Sequence, residues 1–135
     1  MLGNTIKNYE LISENVCRHL SDTKTPQGVI AVVRREEPDI GELINKEKNP
    51  CFFLLESLQD PGNLGTIVRT AEGAGVTGII MNKETVDIYN PKVIRSTMGA
   101  IFRVPFVITD DLPQVVEQLK QKGISVYAGH LKGDV

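Results

Sequence analysis

From Cys51 onward, short apolar runs alternate with stretches in which apolar residues recur at helical spacing. This alternation points to a parallel sheet with helices on both faces, because parallel strands need crossover connections and each helix must bury its apolar stripe. Cys51-Phe52-Phe53-Leu54-Leu55 is a continuous apolar run of the kind a strand buried on both faces carries. Thr77 to Met81, Val104 to Ile108 and Ser125 to Ala128 are expected as the second, third and fourth strands. Helices are expected from Leu64, over Pro91 to Met98 and over Asp111 to Lys122, with Asp110 or Asp111 as a start signal and Gly123 as a stop.

The first handover from strand to helix carries the most chemistry. It reads Asp60-Pro61-Gly62-Asn63-Leu64-Gly65-Thr66-Ile67-Val68-Arg69-Thr70-Ala71. Proline presets φ for a turn, and glycine or asparagine tolerates a positive φ. Leu64, Ile67, Val68 and Ala71 then fall on one helical face, and Asn63 or Asp60 caps the first turn. Asn63 and Arg69 therefore sit in the first turns of a helix at the carboxyl end of a strand, where open α/β sheets bind their ligands. A single arginine on a helix is equally at home as a solvated charge, so the fold alone does not assign it a role.

The pattern Asp-Pro-Gly-Asn-Leu-Gly, three residues, Arg-Thr-Ala, within Leu54 to Met81, resembles the first motif of the SpoU/TrmH-type RNA 2′-O-ribose methyltransferases of the SPOUT superfamily. Asn90-Pro91-Lys92-Val93-Ile94-Arg95-Ser96-Thr97-Met98-Gly99-Ala100, followed by Phe102-Arg103-Val104-Pro105, resembles that family's second motif. The resemblance implies a SPOUT-like α/β fold, a parallel sheet with flanking helices whose trefoil-knot region would lie beyond Val135. It also implies S-adenosylmethionine as methyl donor, an rRNA or tRNA as substrate, and a homodimer. Asn63 and Arg69 are by this resemblance the catalytic pair, with Arg69 closest to the reacting ribose and its phosphate. Lys92, Arg95, Ser96 and Arg103 become candidate RNA contacts. Ala128 and Gly129 fall where the family's first cofactor loop begins. The later glycine-and-glutamate loop, Ile-Pro strand end and Ser-Leu-Asn segment of the family are not in these 135 residues. On this reading the chain is a portion of a longer enzyme, inactive alone; the alternative is a non-catalytic module that binds RNA or a partner.

Methylating a ribose hydroxyl needs an electrophile, a held ribose and alkoxide character on a poorly acidic group. A guanidinium keeps its proton in proteins, which argues against Arg69 as a bare general base. The chemistry suits a role in which Arg69 binds the phosphate beside the ribose and stabilises the developing alkoxide, with phosphate taking the proton. Asn63 would orient Arg69 or the ribose, or serve as a helix cap. Gly65 allows close backbone approach or helix-to-sheet packing. Ser96 and Thr97 hold a phosphate or bond locally at a helix end. Glu56 and Glu72 read as surface charges.

The remaining sequence divides into residues 1–36, a partial segment resembling the L30e-like domain that precedes the catalytic domain in this family, and residues 37–50, a polar linker. In the first segment Ser13 is expected to cap a short helix carrying Val16 and Leu20, and Val29-Ile30-Ala31-Val32-Val33 reads as a strand. Ile40, Leu43 and Ile44 could make one amphipathic turn within the linker. Residues 51–135 are then the amino-terminal part of the methyltransferase domain. A hydrophobic share of 41% with 24% charged residues is that of a globular domain and excludes disordered and collagen-like classes. A net charge of −2 argues against a general nucleic-acid coat, although a local cluster of Arg69, Lys92, Arg95 and Arg103, with Arg34 and Arg35 a weaker extension, is enough to hold a few phosphates. No apolar run approaches the ~18 residues of a membrane span, and no basic-then-apolar leader is present, so a cytoplasmic location without membrane contact is expected. Cys17 and Cys51, like His19 and His130, lack metal-ligand or redox spacing, and no metal is expected.

Overall fold

The structure, a computed structural model, describes residues 9–21, 23–34 and 38–129. The chain divides into two compact units, Met1–Arg35 and Glu36–Val135.

In the first unit, helix α1 spans Glu14–Leu20. Ser13 caps it, its Oγ accepting from the Val16 N–H at 3.3 Å, and Cys17 is its buried residue. The apolar run at Val29 to Val33 forms no strand among the described residues. Val32 is 99% exposed, so β-branched composition alone did not make a strand where no neighbouring strand offers a ladder.

The second unit is built in three layers. Strands β1 (Phe52–Leu55), β2 (Gly78–Asn82) and β3 (Phe106–Thr109) form a parallel sheet in the order β1-β2-β3. Phe52 pairs with Gly78 and Leu55 with Met81 on one side of β2, while Ile79 pairs with Phe106 and Asn82 with Thr109 on the other. Helices α3 (Pro61–Ala74) and α4 (Pro91–Ser96), with a 3-10 turn at Ala100–Phe102, cover one face. Leu64, Val68, Ala71 and Val93 pack there on Ile79 and Met81. Helices α2 (Ile40–Asn45) and α5 (Leu112–Gln121) cover the other face, where Ile44, Leu112, Val115 and Leu119 pack around Ile80. Alternate residues of one strand thus serve two cores, as the pleat requires.

Three expectations are corrected. The strand buried on both faces is β2, whose five residues are all buried, whereas every residue of β1 is only half-buried because β1 lies at the sheet edge. Helix α2 occupies part of the stretch read as a linker: Asp39 caps it, and Leu43 and Ile44 are buried in the unit's core. Leu43 lies so close to Gly78 that a Cβ added there would stand 2.8 Å from it. Ser125 to Ala128 forms no strand. Ile124 and Val126 pack inward and Tyr127 faces out, so the period-two pattern is real. That segment stands across an apolar groove from β1, lined by Phe53, Leu55, Ile67, Val126 and Tyr127, and no ladder closes over it.

Candidate functional site

The entry to α3 is fixed by its own first residues. Asp60 is the cap, its carboxylate accepting the Asn63 N–H at 2.7 Å, and Pro61 takes the first helical position, where its missing N–H costs nothing. The helix therefore begins three residues before Leu64, and Asn63 is not the capping residue. Its side-chain carboxamide is exposed and without a hydrogen-bond partner among the described residues. Thr66 and Thr70 turn their hydroxyls back onto the helix, to the Gly62 carbonyl at 3.0 Å and the Thr66 carbonyl at 2.9 Å. Asn63, Thr66 and Arg69 follow one another at three-residue steps along the helix surface. With the threonine satisfied internally, Asn63 and Arg69 are the groups this ridge offers to a ligand.

Before the helix, the loop from β1 is tied to the end of β2. The buried Asn82 carboxamide accepts the Ser57 N–H at 2.8 Å and the Thr85 hydroxyl at 2.9 Å, and its Nδ2 donates to Ser57 Oγ at 3.2 Å. Ser57 adopts a positive φ of 52°. Gln59 adds a bond to the Glu84 carbonyl at 2.5 Å, and the Val86 N–H donates to the Leu58 carbonyl at 2.8 Å.

The second motif is built on α4. Asn90 caps it through the Lys92 N–H at 2.9 Å, Pro91 is again at its start, and Val93 anchors it in the core. Ser96 is turned toward α3, its hydroxyl donating to the Val93 carbonyl at 2.8 Å and across the interface to the Pro61 carbonyl at 3.2 Å. Opposite it stands Gly65. The Thr97 hydroxyl is likewise engaged, donating to the Ile94 carbonyl at 2.7 Å in a fully buried position. Both hydroxyls are consumed by packing, so neither is presented to a phosphate.

The four candidate cations separate into two kinds. Arg69, Lys92 and Arg95 are exposed and have no ion-pair partner among the described residues. Arg103 is different: its guanidinium grips Glu72 with two bonds, Nε to one carboxylate oxygen and Nη2 to the other at 3.1 Å. This fork ties the last turns of α3 to the turn that follows Phe102. The hydrogen bonds from Arg103 hold the Glu72 carboxyl below the usual carboxylate range, and Glu72 raises the guanidinium in turn. Arg103 also lies over Gly99, which adopts a φ of +88°, a conformation that favours glycine. Ser96 and Arg103 are thus engaged within the fold, whereas Lys92 and Arg95 have no such partner among the described residues. Arg69 stands one turn beyond Gly65 on the same helix face, so the Gly65–Ser96 contact brings the helix bearing Arg69 against the helix bearing Arg95.

Sequence reasoning missed Asn82, Thr85 and the Glu72–Arg103 fork. An asparagine directly after Ile79-Ile80-Met81 was the available signal for the first, since a polar side chain at the end of a buried strand has to find partners. Ala128 and Gly129 are exposed and offer backbone groups alone, and the groove beside them is lined chiefly by apolar side chains. The charged amino-acid end of S-adenosylmethionine needs polar partners that these residues do not supply, so the described residues do not by themselves fit the cofactor. Among the described residues no group of three or more His, Cys, Asp or Glu side chains gathers as around a metal ion, and no helix is long and apolar enough to cross a membrane.

A parallel sheet whose following helices carry basic groups with no ion-pair partner among the described residues is an open α/β domain, of the architecture that places ligands at the carboxyl edge of its strands. The chain belongs to the SpoU rRNA Methylase family, whose sequence model matches residues 50–135. It is 36% identical over 122 residues to the 23S rRNA (guanosine(2553)-2'-O)-methyltransferase RlmP of Bacillus subtilis (strain 168), covering 90% of this chain and 46% of that protein. It is 41% identical over 90 residues to the mitochondrial rRNA methyltransferase 3 of Mus musculus, covering 64% of this chain and 22% of that protein. Among solved structures, an rRNA methyltransferase from Sinorhizobium meliloti superimposes with a TM-score of 0.78 at 31% identity, covering 91% of this chain and 47% of that one. An AdoMet-bound rRNA methyltransferase from the same organism gives 0.65 at 31% identity, covering 78% of this chain and 41% of that one. The chain spans less than half the length of these relatives.

Proposed function

We propose that the protein to which these residues belong methylates a ribose 2′-hydroxyl of rRNA or tRNA, with S-adenosylmethionine as donor. The observation that carries this reading is Arg69: an exposed arginine with no ion-pair partner among the described residues, in the third turn of a helix that leaves the carboxyl edge of the sheet, in the motif that resembles the family's first. Family membership, the RNA 2′-O-methyltransferase among its relatives and the AdoMet-bound neighbour support the substrate and donor.

The donor supplies the methyl group, and the chain's own residues prepare the acceptor. Arg69 presents a planar fork to the phosphate beside the target ribose, and the same positive charge stabilises the 2′-oxygen as it becomes an alkoxide. Because the guanidinium keeps its proton, the hydroxyl proton passes to phosphate oxygen instead. Asn63, its side chain free because Asp60 caps the helix, holds the ribose or the Arg69 fork. Lys92 and Arg95 bind backbone phosphates and set the register of the RNA. The reading includes a homodimer, which sedimentation of the full-length protein tests.

The direct test compares ribose methylation of rRNA and tRNA in cells with the gene, without it, and with the gene carrying Arg69→Ala. Loss of one 2′-O-methylated nucleotide on deletion, restored by the unmodified gene and not by Arg69→Ala, is the expected outcome. RNA binding with no methylated nucleotide lost on deletion would overturn the enzyme reading and leave a non-catalytic RNA-binding module.

A further inference from the structure

The two strands β1 and β2 are stapled at both ends by side chains of the β2 segment. At the amino end Thr77 Oγ1 accepts the Cys51 N–H at 3.0 Å, and the Thr77 N–H donates to the Cys51 carbonyl at 2.8 Å. At the carboxyl end the staple is Asn82, one residue past the last β1–β2 pair, Leu55 with Met81. Its carboxamide uses Oδ1 twice, for the Ser57 N–H and the Thr85 hydroxyl, and donates through Nδ2 to Ser57 Oγ. Both staples join the two strands through a side-chain hydrogen bond, but only the second holds a loop that leads into the candidate site.

Ser57 is the residue so held, and its φ of 52° is one that side-chain-bearing residues seldom adopt. Such a conformation persists only where its surroundings over-determine it. Asn82 supplies that constraint, because it binds both the backbone and the side chain of Ser57. Three residues on, Asp60 caps α3, and the direction in which the helix sets out decides where Asn63 and Arg69 stand.

We infer that Asn82 is the positioning residue of the site: its carboxamide fixes the Ser57–Asp60 loop and, through the start of α3, the placement of Arg69. This rests on the methyltransferase reading of Arg69 given above. Loss of the carboxamide frees Ser57 to return to a common conformation and lets the first turn of α3 shift, and a misplacement of about an ångström is enough to cost on the order of a hundredfold in rate.

The experiment compares Asn82→Ala, Asn82→Asp, Thr77→Val and Arg69→Ala in the full-length gene product. It measures single-turnover methylation at saturating RNA and cofactor, RNA affinity, melting temperature and hydrogen exchange of the Ser57 and Asn63 amides. Asn82→Ala is expected to lower turnover roughly ten- to a hundredfold with RNA affinity little changed, and to speed exchange at both amides. Asn82→Asp keeps an acceptor for the Ser57 N–H and for Thr85, and the Ser57 hydroxyl can rotate to donate, so it should recover most of the turnover. Thr77→Val, which loosens the opposite end of the same strand pair, should lower the melting temperature and leave turnover near normal. Equal turnover losses in Asn82→Ala and Thr77→Val at equal loss of stability would overturn the inference, as would near-normal turnover in Asn82→Ala. Near-normal turnover in Arg69→Ala would instead overturn the functional reading itself.

Discussion

Gly65 of α3 and Ser96 of α4 approach so closely that a Cβ on Gly65 would overlap the Ser96 hydroxyl, standing 2.5 Å from its Cβ and 2.9 Å from its carbonyl carbon. The Ser96 hydroxyl closes the same contact by donating to the Pro61 carbonyl. The two motifs, 35 residues apart at Pro61 and Ser96, are thereby packed together, Ser96 against the backbone of α3. A glycine that sequence alone leaves between ligand approach and packing is in the structure a packing glycine, though it packs helix on helix and not helix on sheet.

Gly65→Ala is therefore expected to destabilise the domain by about 1–3 kcal/mol, the usual cost of forcing an extra methyl into a packed contact. Truncating the hydroxyl does not relieve it, because Ser96 Cβ and its backbone are also in the way. Ser96→Gly combined with Gly65→Ala should recover part of the loss. Denaturant unfolding of the two single variants and the double variant measures the coupling directly, and additive effects would refute it.

How much of this arrangement was legible beforehand depends on how local its causes are. The β1-α3-β2 and β2-α4-β3 alternation was legible because the period of the apolar residues changes within a few positions. That β1 would be only half-buried was not, since a run such as Phe52 to Leu55 looks the same at a sheet edge as at its centre. Capping of α3 was left between Asp60 and Asn63. Pro61 decides it, because proline favours the first helical position and so places the cap one residue earlier. The Arg103–Glu72 fork and the Asn82–Ser57 staple join residues 31 and 25 positions apart, and no local pattern encodes such pairs. The same holds for the failure of Ser125 to Ala128 to become a strand: its alternation is present, but a ladder also needs a neighbour at hydrogen-bonding distance.

The Glu72–Arg103 fork predicts a defined dependence on pH. Arg103 lowers the Glu72 carboxyl in the folded state relative to its ordinary value of 4.5. A carboxyl lowered by folding stabilises the folded state above its unfolded value, and that contribution is lost as pH falls through the folded value. Glu72→Gln should thus be less stable than the parent at pH 7, with the difference shrinking as the pH falls through the lowered folded-state value of Glu72. Because the pair is at the surface, added salt should shrink the difference at pH 7 as well. Urea midpoints at pH 7 and pH 3, at low and high salt, provide the check. A difference that persists unchanged at pH 3 would show that the side chain acts through packing and not through charge.

The cations with no ion-pair partner among the described residues should separate from Arg103, which has one. Arg95→Ala removes a free guanidinium, so it should weaken RNA binding and reduce the slope of log affinity against log salt by about one contact's share. Arg103→Ala removes a guanidinium already committed to Glu72, so it should act on stability and leave the salt slope near that of the parent. Titrations of RNA at a series of salt concentrations distinguish the two. Equal changes in slope would mean that Arg103 exchanges Glu72 for phosphate when RNA binds.

The remaining prediction concerns Arg69, the residue on which the functional reading stands. If its charge acts on an alkoxide that develops only in the transition state, Arg69→Ala should lower single-turnover methylation at saturating RNA by about a hundredfold or more, as loss of comparable electrostatic donors does. Cofactor affinity should hardly change, because a group that meets the ribose and its phosphate has no part in holding the donor. Arg69→Lys keeps the charge but replaces a planar fork with a point charge on a flexible stem, so it should recover little. Arg95→Ala, by contrast, should act on RNA affinity with a smaller effect on turnover once RNA is saturating. Measuring turnover and both affinities for each variant of the full-length protein makes the comparison. Full recovery by lysine would reduce Arg69 to a general phosphate contact, and near-normal turnover in the alanine variant would remove it from the chemistry altogether.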